Sequence, residues 1–240
     1  MIPRLPDFMI IGPTRCGTGS LYVNLFEHPR IDGTRKDIDY FFYMDDNYKK
    51  GIEWYKAQFP NVNSDVLLCD ATAMYIFSSQ SLLRIYHWVP KIKLIVMLRN
   101  PIARSYSNFC CNYNKKNLNW QNFIQNNHSL LAQGVYVDLL LRWFDYFDRK
   151  QFLIIKSEDF FEDSGKVLSK CFKFLNLPDM EFGSYKYWDP RKRHKYQNLH
   201  EHPKIPHEIE EWLGQFFASH NQRLYHLLGK DFEWENRVNG

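Results

Sequence analysis

Phe8-Met9-Ile10-Ile11-Gly12-Pro13-Thr14-Arg15-Cys16-Gly17-Thr18-Gly19-Ser20-Leu21 is the stretch on which the reading of this chain turns. A short apolar run, Phe8 to Ile11, breaks at Gly12-Pro13. From Thr18 to Glu27 the apolar residues Leu21, Leu25 and Phe26 then recur at helical spacing, so the pattern predicts strand, loop and helix in that order. Between a strand and the helix it feeds, backbone N–H groups converge, and the positive end of the helix dipole favours an anion. Glycines let the backbone approach a ligand closely, Thr18 and Ser20 carry hydroxyl donors, and Arg15 carries a permanent charge able to fork onto phosphate oxygens. These residue types suit a phosphate cradle; without a ligand they would make a tight turn capped by Thr18. A Walker A loop would need Lys after its second glycine, whereas Gly17 is followed by Thr18, which disfavours an ATPase or kinase of that type.

Outward from this loop the same alternation continues. Val66 to Cys69, Ile92 to Leu98 and Phe152 to Ile155 are further apolar runs, and IKLIVML is β-branched enough for a buried parallel strand. Helical stretches are predicted near 79–88, 101–113, 119–127 and 135–148, so strands alternate with helices as in βαβ units. The expected fold is a doubly wound, three-layer α/β sandwich with a central parallel sheet, formed as a single domain over residues 1–240. Beyond Phe160 the pattern turns helical, over Lys166 to Leu175 and Pro206 to Leu228, with Trp212, Phe216, Phe217 and Leu224 expected on one face. Residues 183–205, GSYKYWDPRKRHKYQNLHEHPKI, are basic and rich in breakers, and read as a long loop.

Composition narrows the partners. The balance of 31 Lys+Arg against 27 Asp+Glu is too even for a dedicated nucleic-acid binder, although local basic clusters suit a small anion. Aromatic content of 17% fits a bulky core or a pocket walled by rings. The five cysteines show no CxxC pair and no Cys/His spacing of a zinc site, so no metal is expected, and reduced thiols point to the cytoplasm. His87, His128, His194, His200, His202 and His207 likewise show no ligand spacing. The opening apolar run is too short for a signal peptide, and no run reaches the roughly eighteen residues of a membrane span. Oligomeric state has no signature.

A second anion element follows the strongest predicted strand: Leu98-Arg99-Asn100-Pro101-Ile102-Ala103-Arg104-Ser105-Tyr106-Ser107, with Pro101 suited to the first helical turn. Arg99 falls at the carboxyl end of that strand, where doubly wound sheets bind ligands. Ser107 comes about two helical turns later, on the same side. Together they suit a second phosphate.

PTRCGTGSL and LRNPIARSYSNF, each after a strand, resemble the two signatures by which sulfotransferases bind 3'-phosphoadenosine 5'-phosphosulfate (PAPS). The likeness is closest to the sulfotransferase domains of heparan sulfate enzymes and their bacterial relatives. It continues through DIDYFFYMDDNYKKGIEWYKAQFP, CDATAMYIF, LLLRWFDYFDRKQFLIIKSEDFFED and FFASHNQRLYHLLGKDFEW, so it spans most of the chain. The resemblance implies a P-loop-like sulfotransferase fold. It implies that Thr14, Arg15, Cys16, Gly17, Thr18, Gly19 and Ser20 embrace the 5'-phosphosulfate, that Arg99 and Ser107 hold the 3'-phosphate, and that Arg191, Lys192 and Arg193 meet the nucleotide from a basic loop. The activity implied is transfer of a sulfuryl group to a hydroxyl or amine of a sugar or small-molecule acceptor, with PAP as product.

Within that resemblance Asp37 stands in for the family's catalytic carboxylate as general base, with Lys36 holding it or the phosphosulfate and Arg15 stabilising the leaving phosphate. Asp39 and His28 are the alternative bases. Asp37 replaces the common Glu, Arg15 replaces a Lys and cannot shuttle a proton, and Ala71 replaces a Lys of some heparan relatives, which argues for a different acceptor. Asp70 is expected to order the loop near Thr72. Tyr75, Tyr136, Trp143 and Trp188 are candidates for the acceptor wall or for simple packing. The competing readings are a nucleotide-binding protein without transfer activity and a P-loop kinase.

Overall fold

All five residues of β1 (Phe8–Gly12) are buried, as they must be in a strand covered on both faces. β3 (Leu67–Ala71) and β4 (Lys93–Leu98) flank it in parallel, with Phe8 opposite Cys69 on one side and Lys93 on the other. β2 (Ile31–Gly33) and β5 (Phe152–Lys156) complete a five-stranded parallel sheet in the order β2-β3-β1-β4-β5. The chain leaves β1 for the far edge, returns through β3, then crosses β1 to reach β4. Strand order therefore reverses at β1, and the loop after it occupies the point where open α/β sheets bind ligands.

The computed structural model describes residues 3–34, 41–116, 119–126, 131–180 and 204–235. The chain divides into two compact units, one comprising Met1–Leu98 and Arg142–Trp188 and the other Arg99–Leu141 and Asp189–Gly240. The first holds the sheet, together with α1 (Thr18–Leu25), α2 (Asp45–Tyr48), α3 (Ile52–Lys56) and α4 (Ser79–Trp88). The second holds α5 (Pro101–Lys116) and α6 (Trp120–Asn126), and the boundary falls inside α7 (Tyr136–Phe144). α8 (Ser157–Glu162) and α9 (Ser164–Leu175) return to the first unit, and α10 (His207–Leu228) belongs to the second. The sheet's centre is fully buried from Phe8 to Ile11 and from Leu94 to Leu98. Each such side chain contributes roughly 1.5–3 kcal/mol relative to exposure. The second unit has its own apolar cluster, in which Phe109 stacks on Trp120 at 4.0 Å.

Each predicted strand and helix has a counterpart, although the helix expected over 135–148 ends at Phe144, and residues 183–203 of the expected long loop lie outside the described residues. Two expectations change. β2 was not foreseen, because Ile31-Asp32-Gly33 is three residues long and only its Ile is buried. The buried face of α10 is carried by Leu213, Phe217, Asn221, Leu224 and Tyr225, whereas Trp212 is 42% exposed and stacks on Phe216.

Candidate functional site

The loop between β1 and α1 is shaped by backbone that few residues tolerate. Gly12 has φ 124°, and a Cβ there would lie 2.3 Å from the Ala73 carbonyl oxygen, so no larger residue fits. Arg15 and Gly17 also adopt positive φ, 70° and 87°, the left-handed conformations from which successive N–H groups turn to one side as an anion nest. Gly17 is the N-cap of α1 and brings no side chain to that helix end. The N-cap residue itself therefore offers no side-chain acceptor to the first-turn N–H groups. Thr18 and Ser20 are buried in that turn. The loop is braced from the end of β5, where the buried hydroxyl of Ser157 donates to the Cys16 carbonyl at 2.6 Å. Phe161 of α8 closes on it so tightly that a Cβ at Gly17 would stand 2.8 Å from its ring. These features fit a phosphate group.

At the carboxyl end of β3, Asp70 is fully buried and accepts three hydroxyls: Tyr55 Oη at 2.6 Å, Thr72 Oγ1 at 2.8 Å and Tyr75 Oη at 3.0 Å. Burial, and then the Asp70 carboxylate, push the phenols of Tyr55 and Tyr75 well above the ordinary tyrosine range. The network reaches the segment after residue 40. The Phe42 N–H donates to Tyr75 Oη at 3.5 Å, the Phe42 carbonyl accepts from Ser81 Oγ at 3.0 Å, and Phe41 stacks on Tyr55 at 4.4 Å. Before residue 35, the Thr34 carbonyl accepts from Tyr22 Oη at 3.0 Å.

In the second unit, Asn100 caps α5: its Oδ1 accepts the N–H groups of Ile102 at 2.9 Å and Ala103 at 3.3 Å. Arg99 precedes it and Ser107 follows two turns later, both half-buried. The Arg99 carbonyl accepts from Tyr136 Oη at 2.8 Å. Arg104, fully buried between them in sequence, donates to Gln133 Oε1.

Thr14, Arg15, Cys16 and Gly17 thus form one loop that continues into Thr18, Gly19 and Ser20 of the first turn of α1, while Arg99 lies just before α5 and Ser107 within it. Lys36, Asp37 and Asp39 lie outside the described residues, as do Trp188, Arg191, Lys192 and Arg193. His28 is buried with Nδ1 accepting the Arg30 N–H at 3.1 Å and Nε2 at 3.1 Å from the Pro178 carbonyl, so neither nitrogen is left to take an acceptor proton. Asp70 orders Thr72 as expected. Tyr75, Tyr136 and Trp143 are buried packing residues, Trp143 donating its indole N–H to the Ile76 carbonyl at 3.1 Å. Ser157 escaped the sequence reading because its partner, Cys16, lies 141 positions away. Among the described residues no group of three or more metal-ligating side chains occurs, and no helix is long and apolar enough to cross a membrane.

Comparison with known proteins adds to this geometry. The model of the sulfotransferase domain family matches residues 5–227. The bifunctional heparan sulfate N-deacetylase/N-sulfotransferase 4 of Mus musculus is 29% identical over 267 residues, covering 95% of this chain and 30% of that protein. The heparan sulfate glucosamine 3-O-sulfotransferase 5 of Mus musculus is 26% identical, covering 98% of this chain and 75% of that protein. The chain thus spans less than a third of the bifunctional relative and three quarters of the other. Among solved structures, a sulfotransferase from Alicyclobacillus acidocaldarius shares the fold with a TM-score of 0.80 at 24% identity, covering 98% of this chain and 100% of that one.

Proposed function

This chain belongs to the sulfotransferase domain family, and from that premise we propose that it transfers the sulfuryl group of PAPS to a hydroxyl or amine of a sugar or small-molecule acceptor. The observation that carries the reading is the loop after β1. Its positive-φ turns, glycine N-cap and buried hydroxyls suit an anion, and they stand where strand order reverses.

PAPS supplies an activated sulfuryl group whose departure leaves PAP. Around it the chain's own residues position and neutralise. Thr14, Cys16, Gly17, Thr18, Gly19 and Ser20 receive the 5'-phosphosulfate through backbone N–H groups and hydroxyls, and the Arg15 guanidinium spreads the charge growing on the departing phosphate. Arg99 and Ser107 take the 3'-phosphate, the group that separates PAP from ADP and ATP. Arg191, Lys192 and Arg193 add cationic contacts. Asp37 accepts the acceptor's proton, Lys36 steadies it, and Asp39 is the alternative base. The family match runs through residues of both compact units, which supports treating residues 1–240 as one sulfotransferase domain. Five free thiols support a reducing, cytoplasmic setting.

Radiolabelled PAPS, offered with glucosamine-containing oligosaccharides, phenols and simple amino sugars, tests the activity. Label should pass to at least one acceptor class. Asp37→Asn should cut turnover by about 100-fold or more while leaving PAP affinity unchanged. If Asp37→Asn turns over normally, the base is not Asp37.

A further inference from the structure

The residues after α10 do more than end the chain. Gly229, at φ 61°, stops the helix in the left-handed conformation that glycine favours. The chain then returns so that Phe232 and Trp234 are buried, their rings 4.8 Å apart. Glu235 ties the return to α10: Oε1 accepts from Asn221 Nδ2 at 3.0 Å and Oε2 from Tyr225 Oη at 2.9 Å. The Trp234 N–H reaches the same Tyr225 oxygen at 3.4 Å.

This pinned segment reaches the start of α5 in two ways, once directly and once through Tyr136 of α7. The Trp234 carbonyl accepts from Asn100 Nδ2 at 3.2 Å. Asn100 is thus held from both ends of its amide, the oxygen capping α5 and the nitrogen bonding to the returning chain. The Trp234 ring also meets Tyr136 edge-on at 5.9 Å, and the Tyr136 hydroxyl holds the Arg99 carbonyl. One tether therefore sets the peptide plane that follows Arg99, and the other sets the helix start from which Ser107 is counted. The spacing between the Arg99 and Ser107 side chains depends on both.

We infer that Tyr136 and Trp234, acting through the Arg99 carbonyl and Asn100, are positioning residues that preset Arg99 and Ser107 for a 3'-phosphate and so determine selectivity for 3'-phosphorylated adenosine nucleotides. The inference rests on the proposed role of Arg99 and Ser107. A binding group held within a fraction of an ångström by its supports loses little entropy on binding, and a loosened one loses affinity only for the group it contacts. The signature is therefore the ratio of affinities for PAP and adenosine 5'-phosphate, which differ by the 3'-phosphate.

Two conservative substitutions isolate the tethers. Tyr136→Phe removes only the hydroxyl that holds Arg99. Asn100→Ser keeps an N-cap acceptor for α5 and removes the amide donor to Trp234. Calorimetric titration of the full chain with PAP and with adenosine 5'-phosphate should show PAP affinity falling about three- to tenfold in each variant, the worth of one hydrogen bond, and further in the double variant. Affinity for adenosine 5'-phosphate should stay at the wild-type value. Equal loss for both ligands, or an unchanged ratio, would overturn the inference. Arg99→Ala, measured alongside, separates the two levels. If it collapses the ratio while Tyr136→Phe and Asn100→Ser do not, the tethers are structural and the 3'-phosphate reading stands. If Arg99→Ala leaves the ratio unchanged, that reading falls and the inference falls with it.

Discussion

The loop after β1 and the element after β4 are both read as anion sites, yet they are built by opposite means. The first is made by main chain: Gly12, Arg15 and Gly17 at positive φ, with a neighbouring carbonyl so near Gly12 that a methyl group cannot enter. The second is an ordinary helix start whose placement is fixed by hydrogen bonds to groups far away in sequence, Tyr136 Oη on the Arg99 carbonyl from 37 positions away and the Trp234 carbonyl on Asn100 Nδ2 from 134 positions away. A site made of backbone fails all at once when a residue no longer fits. A site held by tethers should fail by degrees.

The sharpest way to break this contrast is Gly12→Ala. Backbone strain of about 1–3 kcal/mol and overpacking of about 1–3 kcal/mol against the Ala73 carbonyl should together cost about 2–6 kcal/mol, and PAP binding should be lost. A denaturant titration reads the first and calorimetry the second; a normal value for both would show that the loop is as adaptable as the helix start.

Next comes Asp70→Asn, which strikes the buried carboxylate on which Tyr55, Thr72 and Tyr75 converge, just ahead of the Ala73 carbonyl that crowds Gly12. An amide keeps one acceptor oxygen but presents donors to hydroxyls that themselves donate, so the loss should be about 2–3 kcal/mol in the same titration. A loss below about 0.5 kcal/mol would mean that the hydroxyls find other partners.

Alkaline titration compares the two regions in one experiment. Tyr55 and Tyr75 on the first side have raised pKa values, chiefly from burial, and so does Tyr225 beside Glu235 on the second. Their stabilisation is complete below the unfolded pKa of about 10; above it the unfolded chain releases protons that the folded chain keeps, so stability falls as pH rises. Each such group should cost about 1.4 kcal/mol per pH unit above 10. Melting at successive pH values should show this decline, and Tyr225→Phe should make it shallower, the slope that remains including the buried thiols of Cys69 and Cys171, also pushed up by burial.

These regions were not equally legible in the sequence. The first was, because the apolar run, the glycines and the following helix are contiguous, and each short-range signal agreed with the next. The sheet's central strands were legible for the same reason. The second region was legible only in its motif. Nothing local to Asn100 or Arg99 tells of Tyr136 or Trp234, and Tyr136 looked equally suited to a pocket wall. The face of α10 misled because aromatic bulk drew Trp212 into the apolar stripe, whereas burial selects Leu213 and Asn221, the latter for its bond to Glu235. Ser157 was hidden in the same way.

The smallest expected effect has the opposite sign. Gly214 lies within α10, faces a cavity of about 190 Å³ that Asn100 and Trp234 also line, and has nothing within 4 Å of where a Cβ would stand. Gly214→Ala should stabilise by about 0.5–1 kcal/mol through helix propensity, seen as a higher melting temperature with PAP affinity unaltered. Destabilisation would mean that this part of the second region is less tolerant than its geometry says.

Calorimetric titration of the purified protein with PAP, with ADP and ATP-magnesium as controls, tests the central claim most directly. The account predicts tight binding of PAP, with ADP and ATP-magnesium much weaker; absence of PAP binding, or ATP-magnesium binding as tightly as PAP, would contradict it.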